Sequence, residues 1–172
     1  MTNLIRVSVD MPSPAEVLAG CEEFEKREKR DAMYKVATFL VDHHWGKPAE
    51  MADGLGVLLL TWNNAFYRYG ILDFDALEQC IAANLGMLDG FRERDILSLS
   101  DDDEPSIKVL FSRFLEASKG HGKTGPRRSP VSVAKALHIL APAFFPLWDD
   151  KIAKQYRCYY NCQPEDMYIS FC

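Results

Sequence analysis

The sequence has little that would place the protein in a membrane or outside the cell. None of its apolar runs approaches the roughly 20 residues that a membrane-spanning helix needs. Its N-terminal residues, MTNLIRVSVDMPSP, lack the charged start and the apolar centre of a secretory signal peptide. Its five cysteines are an odd number, which favours free thiols over a disulfide framework. We therefore expect a cytoplasmic protein that does not act at a membrane.

An excess of positive charge is also missing, since 20 lysines and arginines stand against 25 aspartates and glutamates. Proteins that coat nucleic acid bind largely by neutralising phosphates, so the net charge of −5 argues against that class. Basic side chains are nevertheless concentrated in residues 118–129, where we predict a flexible basic loop. Such a loop would clamp a phosphate backbone or act as a disordered tether. Its basic or titratable residues are Lys119, His121, Lys123, Arg127 and Arg128.

The motifs for metals are incomplete. His43 and His44 are adjacent in sequence, so on a helix their side chains point about 100° apart and cannot comfortably face one ion. The C-terminal cysteines Cys158, Cys162 and Cys172 are one thiolate short of the four that an iron–sulfur cluster normally needs. We therefore expect neither a metal nor a cofactor.

The predicted fold is a single globular all-α domain that spans residues 1–172. This length suits one hydrophobic core, and a composition of 48% hydrophobic and 26% charged residues is typical of globular proteins. Apolar residues recur at helical spacing after capping signals, which indicates about eight helices and no hairpin. Residues 1–12 alternate weakly and suit an extended arm or a short strand. The helix-start signals stand at Pro14, Asp31, Pro48, Asp73, Glu104, Pro130, Asp149 and Pro164.

The most apolar stretch, residues 54–70, predicts a central buried helix. Gly54 and Gly56 are expected to interrupt or thin this helix near its start, and Gly86 and Gly90 are expected to flank a loop farther along the chain. Amide and aromatic side chains gather where the central helix ends. They would cap a turn and pack in the core, or they would contact a ligand. These residues are Trp62, Asn63, Asn64 and Tyr67.

Residues 129–156 contain two helix starts separated by an aromatic connector. Ser129 or Ser132 can cap the first helix, with Pro130 in its first turn. This helix is expected to end near Ala141, because the proline that follows cannot continue it. Asp149 then opens the second helix, where the helix dipole favours its carboxylate. The pattern therefore predicts two helices that meet at an aromatic corner.

This stretch resembles the helix-hairpin-helix DNA glycosylase superfamily. Its signature runs Pro-Gly-Val-Gly-x-Lys, a helix, an apolar connector ending in Val-Asp, and a second helix. Residues 130–135, Pro-Val-Ser-Val-Ala-Lys, match the first part, with Ser132 and Ala134 in place of the two glycines. Trp148 and Asp149 match the second part. The resemblance implies that Asp149 supports base excision and that the preceding lysine, Lys135, attacks the sugar carbon, as in the bifunctional members.

The resemblance and the basic loop together suggest two sets of DNA contacts. An extruded base would be bound by Trp62, Asn63, Asn64, Tyr67 and Trp148. The DNA backbone would be bound by Lys119, Lys123, Arg127, Arg128 and Ser132.

We therefore predict a divergent DNA glycosylase-like protein that excises or recognises a modified base, with DNA as its partner. One alternative is a non-catalytic helical module that binds a protein or a small ligand, which the net negative charge favours. Another is an enzyme that acts on free nucleobases or nucleotides. The apolar C-terminal segment is expected to pack onto the domain or to contact a second copy or a protein partner. It contains Tyr168, Ile169, Phe171 and Cys172.

Overall fold

The computed structural model describes residues 12–27, 31–68, 70–122, 125–160 and 163–172. Within these ranges the chain is predominantly helical, so the predicted all-α class is confirmed. The predicted arm at residues 1–12 lies, except for residue 12, outside the described residues. The helices are α1 (Pro14–Arg27), α2 (Ala32–His43), α3 (Pro48–Trp62), α4 (Asn64–Tyr67), α5 (Phe74–Arg92), α6 (Glu104–Ala117), α7 (Pro130–Leu140), α8 (Asp150–Gln155) and α9 (Pro164–Phe171). Three short strands accompany them: β1 (Gly70–Leu72), β2 (Gly120–Gly122) and β3 (Gly125–Arg127).

Most helix starts lie where the capping residues predict them. Ser13 and Glu16 form a capping box at α1, in which Ser13 N donates to Glu16 Oε2 at 2.7 Å. The side chain of Asp73 accepts from the backbone N of Ala76 at 3.0 Å and caps α5. Ser129 caps α7 in the same way. Local side-chain bonds to the backbone therefore set these boundaries.

The predicted interruptions at glycine are wrong. Helix α3 runs unbroken through Gly54 and Gly56, and α5 continues through Gly86 to Arg92. At Gly54 a β-carbon would lie 2.9 Å from Val41 Cγ2 and 3.3 Å from the Val41 backbone N. The missing side chain thus lets α2 and α3 approach closely, which is a packing role rather than a helix break.

The core is built around α3, which contacts α2, α5 and α7. The aromatic connector after α7 closes one end of this core, where Phe144, Phe145 and Trp148 are fully buried. Helix α9 packs against α6, and the hydroxyl of the buried Tyr168 donates to Pro146 O at 2.9 Å. The C-terminal segment therefore packs onto its own domain, with Ile169 also buried.

The predicted flexible loop at residues 118–129 contains a β-hairpin instead. Strands β2 and β3 pair antiparallel, and β1 joins them on the other edge of β2, so that Ile71 faces His121. The turn includes Gly125 at a φ of +99°, a backbone conformation that glycine adopts readily. Strand β2 packs on the Phe66 ring, since a β-carbon at Gly120 would lie 3.1 Å from Phe66 Cε1. Three-residue strands rich in glycine carry no alternating pattern, which explains why the sequence did not predict them.

No helix in the described part of the chain is long and apolar enough to cross a membrane. The cysteines in that part, Cys21, Cys80, Cys158 and Cys172, are free thiols.

Candidate functional site

Lys135 lies on α7 with its ammonium group against the C-terminal end of α3. Its Nζ donates to the backbone oxygen of Trp62 at 3.0 Å and to Asn63 Oδ1 at 2.8 Å. The same nitrogen lies 5.8 Å from the centroid of the Trp62 ring, within the range of a cation–π interaction. The side chain is partly buried. Two uncharged oxygens and an aromatic face therefore surround the amine.

The surroundings of Lys135 favour its neutral form. Burial lowers the pKa of Lys135, and the negative charge of Asp149 opposes this effect. No ion pair among the described residues includes either side chain. The two observed acceptors suit either form of the side chain, because an ammonium group has three N–H donors and a neutral amine has two. Only the neutral amine has a lone pair that can act as a nucleophile.

Asn63 holds the lysine rather than an external ligand. Its Nδ2 donates to Ser132 Oγ and, at 3.3 Å, to Ser129 Oγ, while its Oδ1 accepts from Lys135. The side chain is only 9% exposed. Both ends of the amide are therefore occupied by partners inside the protein, and the predicted contact between Asn63 and a base would have to replace them. Ser132, which was predicted to contact DNA, is fully buried in the same network.

Asp149 is the N-cap of α8. Its Oδ1 accepts from the backbone N of Lys151 and of Ile152, each at 2.9 Å. No hydrogen bond within the described residues involves Oδ2, and the side chain is partly exposed. The predicted helix start is therefore confirmed. The structure gives Asp149 a capping role through one oxygen and leaves the other oxygen available.

Tyr34 and His138, which the sequence analysis did not select, form a hydrogen-bonded pair near Lys135. The hydroxyl of Tyr34 lies 2.9 Å from His138 Nε2, and His138 Nδ1 lies 2.7 Å from the backbone oxygen of Phe145. Because a carbonyl oxygen only accepts, Nδ1 carries the proton and Nε2 accepts from Tyr34. The Tyr34 ring also stacks on Trp62, with centroids 5.8 Å apart and planes 18° apart.

The sequence patterns that could have identified His138 and Tyr34 differ in strength. His138 follows Lys135 by three residues, so the two share one side of α7, and this spacing could have identified it. Burial lowers the pKa of His138, although the Phe145 carbonyl opposes the effect. Tyr34 lies about a hundred residues away along the chain. No sequence pattern connects it with α7.

The other predicted base-contacting residues are divided between the core and the surface. Trp148 is fully buried and donates from Nε1 to Cys158 Sγ at 3.3 Å. Tyr67 is also buried, and its hydroxyl donates to Ser118 O at 2.8 Å. The structure therefore places Trp148 and Tyr67 in the core, where both side chains bond to groups of the same chain. Asn64 is exposed at the start of α4, and Trp62 is partly exposed beside Lys135.

The predicted DNA-backbone residues lie around the hairpin, but acidic and aromatic neighbours engage them. Lys119 and Arg128 both form ion pairs with Glu116. The Arg127 guanidinium lies 5.6 Å from the centroid of the Phe66 ring. Lys123 lies outside the described residues. Among the described cations at this edge, the positive charge is therefore partly neutralised.

The described ranges contain no group of three or more histidine, cysteine, aspartate or glutamate side chains that could hold a metal ion. The groups that the structure describes at the site are the Lys135 amine, the Asp149 carboxylate and the hydrogen-bonded His138 imidazole. We compared the chain with protein-family models, with curated proteins and with solved structures, and none of these comparisons finds a match.

Proposed function

We propose that this protein is a divergent DNA glycosylase-like enzyme in which Lys135 is the amine nucleophile. The observation that supports this most strongly is the environment of its Nζ, which lies between two uncharged acceptors and whose pKa burial lowers. A lowered pKa increases the fraction of neutral amine, the form with a lone pair, relative to a lysine on an exposed helix surface. The substrate would be a nucleotide whose base is modified and extruded from the duplex.

The proposed reaction is a displacement at the C1′ carbon of the sugar. The Lys135 lone pair forms a bond to C1′ while the bond from C1′ to the base nitrogen breaks, and the base leaves with that electron pair. The carboxylate of Asp149 stabilises the positive charge that develops on the sugar. One proton of the amine passes to the departing base, and the other passes to the ring oxygen O4′ as the bond from C1′ to O4′ breaks, which gives an imine between Lys135 and C1′. Water then hydrolyses this imine to an aldehyde and the free amine.

The imine provides a direct test. Borohydride reduces an imine to a stable amine, so incubation with a duplex that carries an abasic site should give a covalent protein–DNA product. The variant Lys135→Gln should lose this product. The control variant Lys154→Gln removes an exposed lysine of α8 and should retain it. Trapping that persists in Lys135→Gln would exclude Lys135 as the nucleophile.

Asp149 can be tested without removing its cap. Asparagine and aspartate are about equally good N-cap residues, so Asp149→Asn should leave the melting temperature nearly unchanged. The same substitution removes the negative charge and should abolish excision from duplexes with modified bases. If Asp149→Asn instead unfolds the protein, the carboxylate is needed for structure and its catalytic assignment fails.

A second candidate is a non-catalytic helical module. The observation that favours it is that both side chains complete helix ends: Lys135 donates to the last carbonyl of α3, and Asp149 caps α8. Under this alternative, the protein would not prefer a duplex with an abasic-site analogue over an undamaged duplex at low or moderate salt. Preferential, salt-dependent binding would support the enzyme instead.

A further inference from the structure

Helix α1 has an apolar side that nothing in the described structure covers. Val17, Leu18 and Phe24 are between 49% and 66% exposed, and α1 has no buried residue. Together with Cys21 these side chains form a stripe at spacings of three and four residues. Such a stripe normally faces a core. A helix of 14 residues is marginal in water by itself, so α1 needs a partner for this side.

Helix α2 has apolar residues on two sides. Its inner side, with the buried Ala37 and Val41, packs on α3. Its outer side carries Val36 and Phe39, which are 44% and 63% exposed, and Met33, which is 43% exposed, lies between the outer side and the inner one. A helix that is apolar on both sides is typically covered on both. The outer side of α2 remains exposed although α1 is close in sequence, so α1 of the same chain does not cover it in this structure.

We propose that these two apolar stripes form a dimer interface, in which α1 of one copy packs on the outer side of α2 of a second copy. A reciprocal arrangement covers all four stripes with two identical contacts, as a two-fold symmetric interface requires. The six exposed side chains supply on the order of 600 Å² of apolar surface per copy. Two copies would therefore bury about 1,200 Å², the lower end of the range for stable interfaces.

Charges at the borders of the two stripes also favour packing against a second copy of the chain. Glu25 follows Cys21 by four residues and lies on the apolar side of α1. Lys35 precedes Phe39 by four residues and borders the outer stripe of α2. Packing α1 on a neighbouring α2 brings an acidic and a basic border together. This proposal is independent of the proposed enzyme function, because no described hydrogen bond or ion pair joins the stripe residues to Lys135 or Asp149.

Cross-linking distinguishes a second copy from the same chain. Cys21 is exposed in the α1 stripe, and Val36→Cys places a second thiol in the α2 stripe. A short bis-maleimide should join these thiols into a covalent dimer on a denaturing gel, beyond any product given by the parent chain. A cross-link within one chain would overturn the proposal, because α1 would then fold back on its own α2. The absence of any new cross-link would overturn it as well.

The oligomeric state provides the second measurement. Light scattering after size exclusion should give the mass of two chains at micromolar concentration. Leu18→Asp and Phe39→Asp should each raise the dissociation constant about tenfold or more, because a charge is then placed in the interface. The control is Leu97→Asp, which changes a side chain that is 91% exposed outside both stripes and should leave the dimer intact. A parent chain that is monomeric at high concentration would refute the interface.

Discussion

The hydrogen bond between Asn63 and Lys135 can be tested by replacing the amide nitrogen of Asn63 with an oxygen. Asn63→Asp keeps the size of the side chain and places a carboxylate oxygen where Oδ1 now accepts from Nζ at 2.8 Å. The hydroxyls of Ser129 and Ser132 can donate as well as accept, so they can satisfy the second carboxylate oxygen. The variant should therefore fold. Its main effect should be on the charge of Lys135.

The direction and size of this effect follow from electrostatics. Burial now lowers the pKa of Lys135, because the ammonium form loses hydration. A carboxylate within hydrogen-bond distance favours the ammonium form and should raise that pKa by about 1 to 3. At a pH below the pKa, the fraction of neutral amine then falls about tenfold to a thousandfold. Imine trapping at neutral pH should fall by a similar factor.

The pKa of Lys135 can be measured by carbon-13 NMR of the lysine Cε atoms, with Lys135→Gln assigning the resonance. The matched control is Asn64→Asp, which introduces the same charge one residue along, on an exposed side chain. This control should shift the pKa of Lys135 much less, because solvent screens the charge. If Asn63→Asp and Asn64→Asp give the same pKa, Asn63 does not accept from Lys135 and the described network is wrong.

Two further predictions concern stability. Gly54→Ala should destabilise the protein in urea unfolding, because the new methyl group would meet the Val41 backbone. Gly86→Ala has no atom within 4 Å of its new β-carbon, so it should stabilise the protein by about 0.5–1 kcal/mol. Burial lowers the pKa of His138, so below pH 6.5 the unfolded chain binds more protons than the folded protein does. The free energy of unfolding should therefore fall as the pH is lowered below 6.5, by up to about 1.4 kcal/mol per pH unit. His138→Asn should remove this part of the fall, and the exposed His121→Asn should not; equal slopes in the two variants would contradict the burial of His138.

The helices could be predicted from the sequence because their boundaries depend on neighbouring residues. Ser129 and Asp149 bond to backbone groups two or three positions away, so the capping signal and the structure contain the same information. The errors at Gly54 and in the hairpin have a different cause. There the conformation depends on α2 and on Phe66, which are distant in sequence, and tertiary contact overrides local propensity.

The difference between local contacts and contacts distant in sequence also explains which features of the candidate site could be predicted. The order of Lys135 and Asp149 along the chain indicated that they would belong to one site, and the charge of Asp149 does influence the pKa of Lys135. The partners of the lysine could not be inferred in this way. Asn63 reaches it from 72 residues away, and Tyr34 reaches His138 from 104 residues away. A single sequence contains no signal for such pairs, so the sequence analysis left Asn63 either to cap a turn or to contact a ligand and did not predict its bond to Lys135.

The burial of Lys135 bears on the choice between a structural and a chemical role. A lysine that only caps a helix C-terminus is best placed at the surface, where hydration stabilises the ammonium ion and the dipole attracts it. Lys135 instead reaches its acceptors from a partly buried position, which disfavours its charged form and so costs stability at neutral pH. The same burial raises the fraction of neutral amine at a given pH, and the proposed nucleophile needs that form because only it has a lone pair.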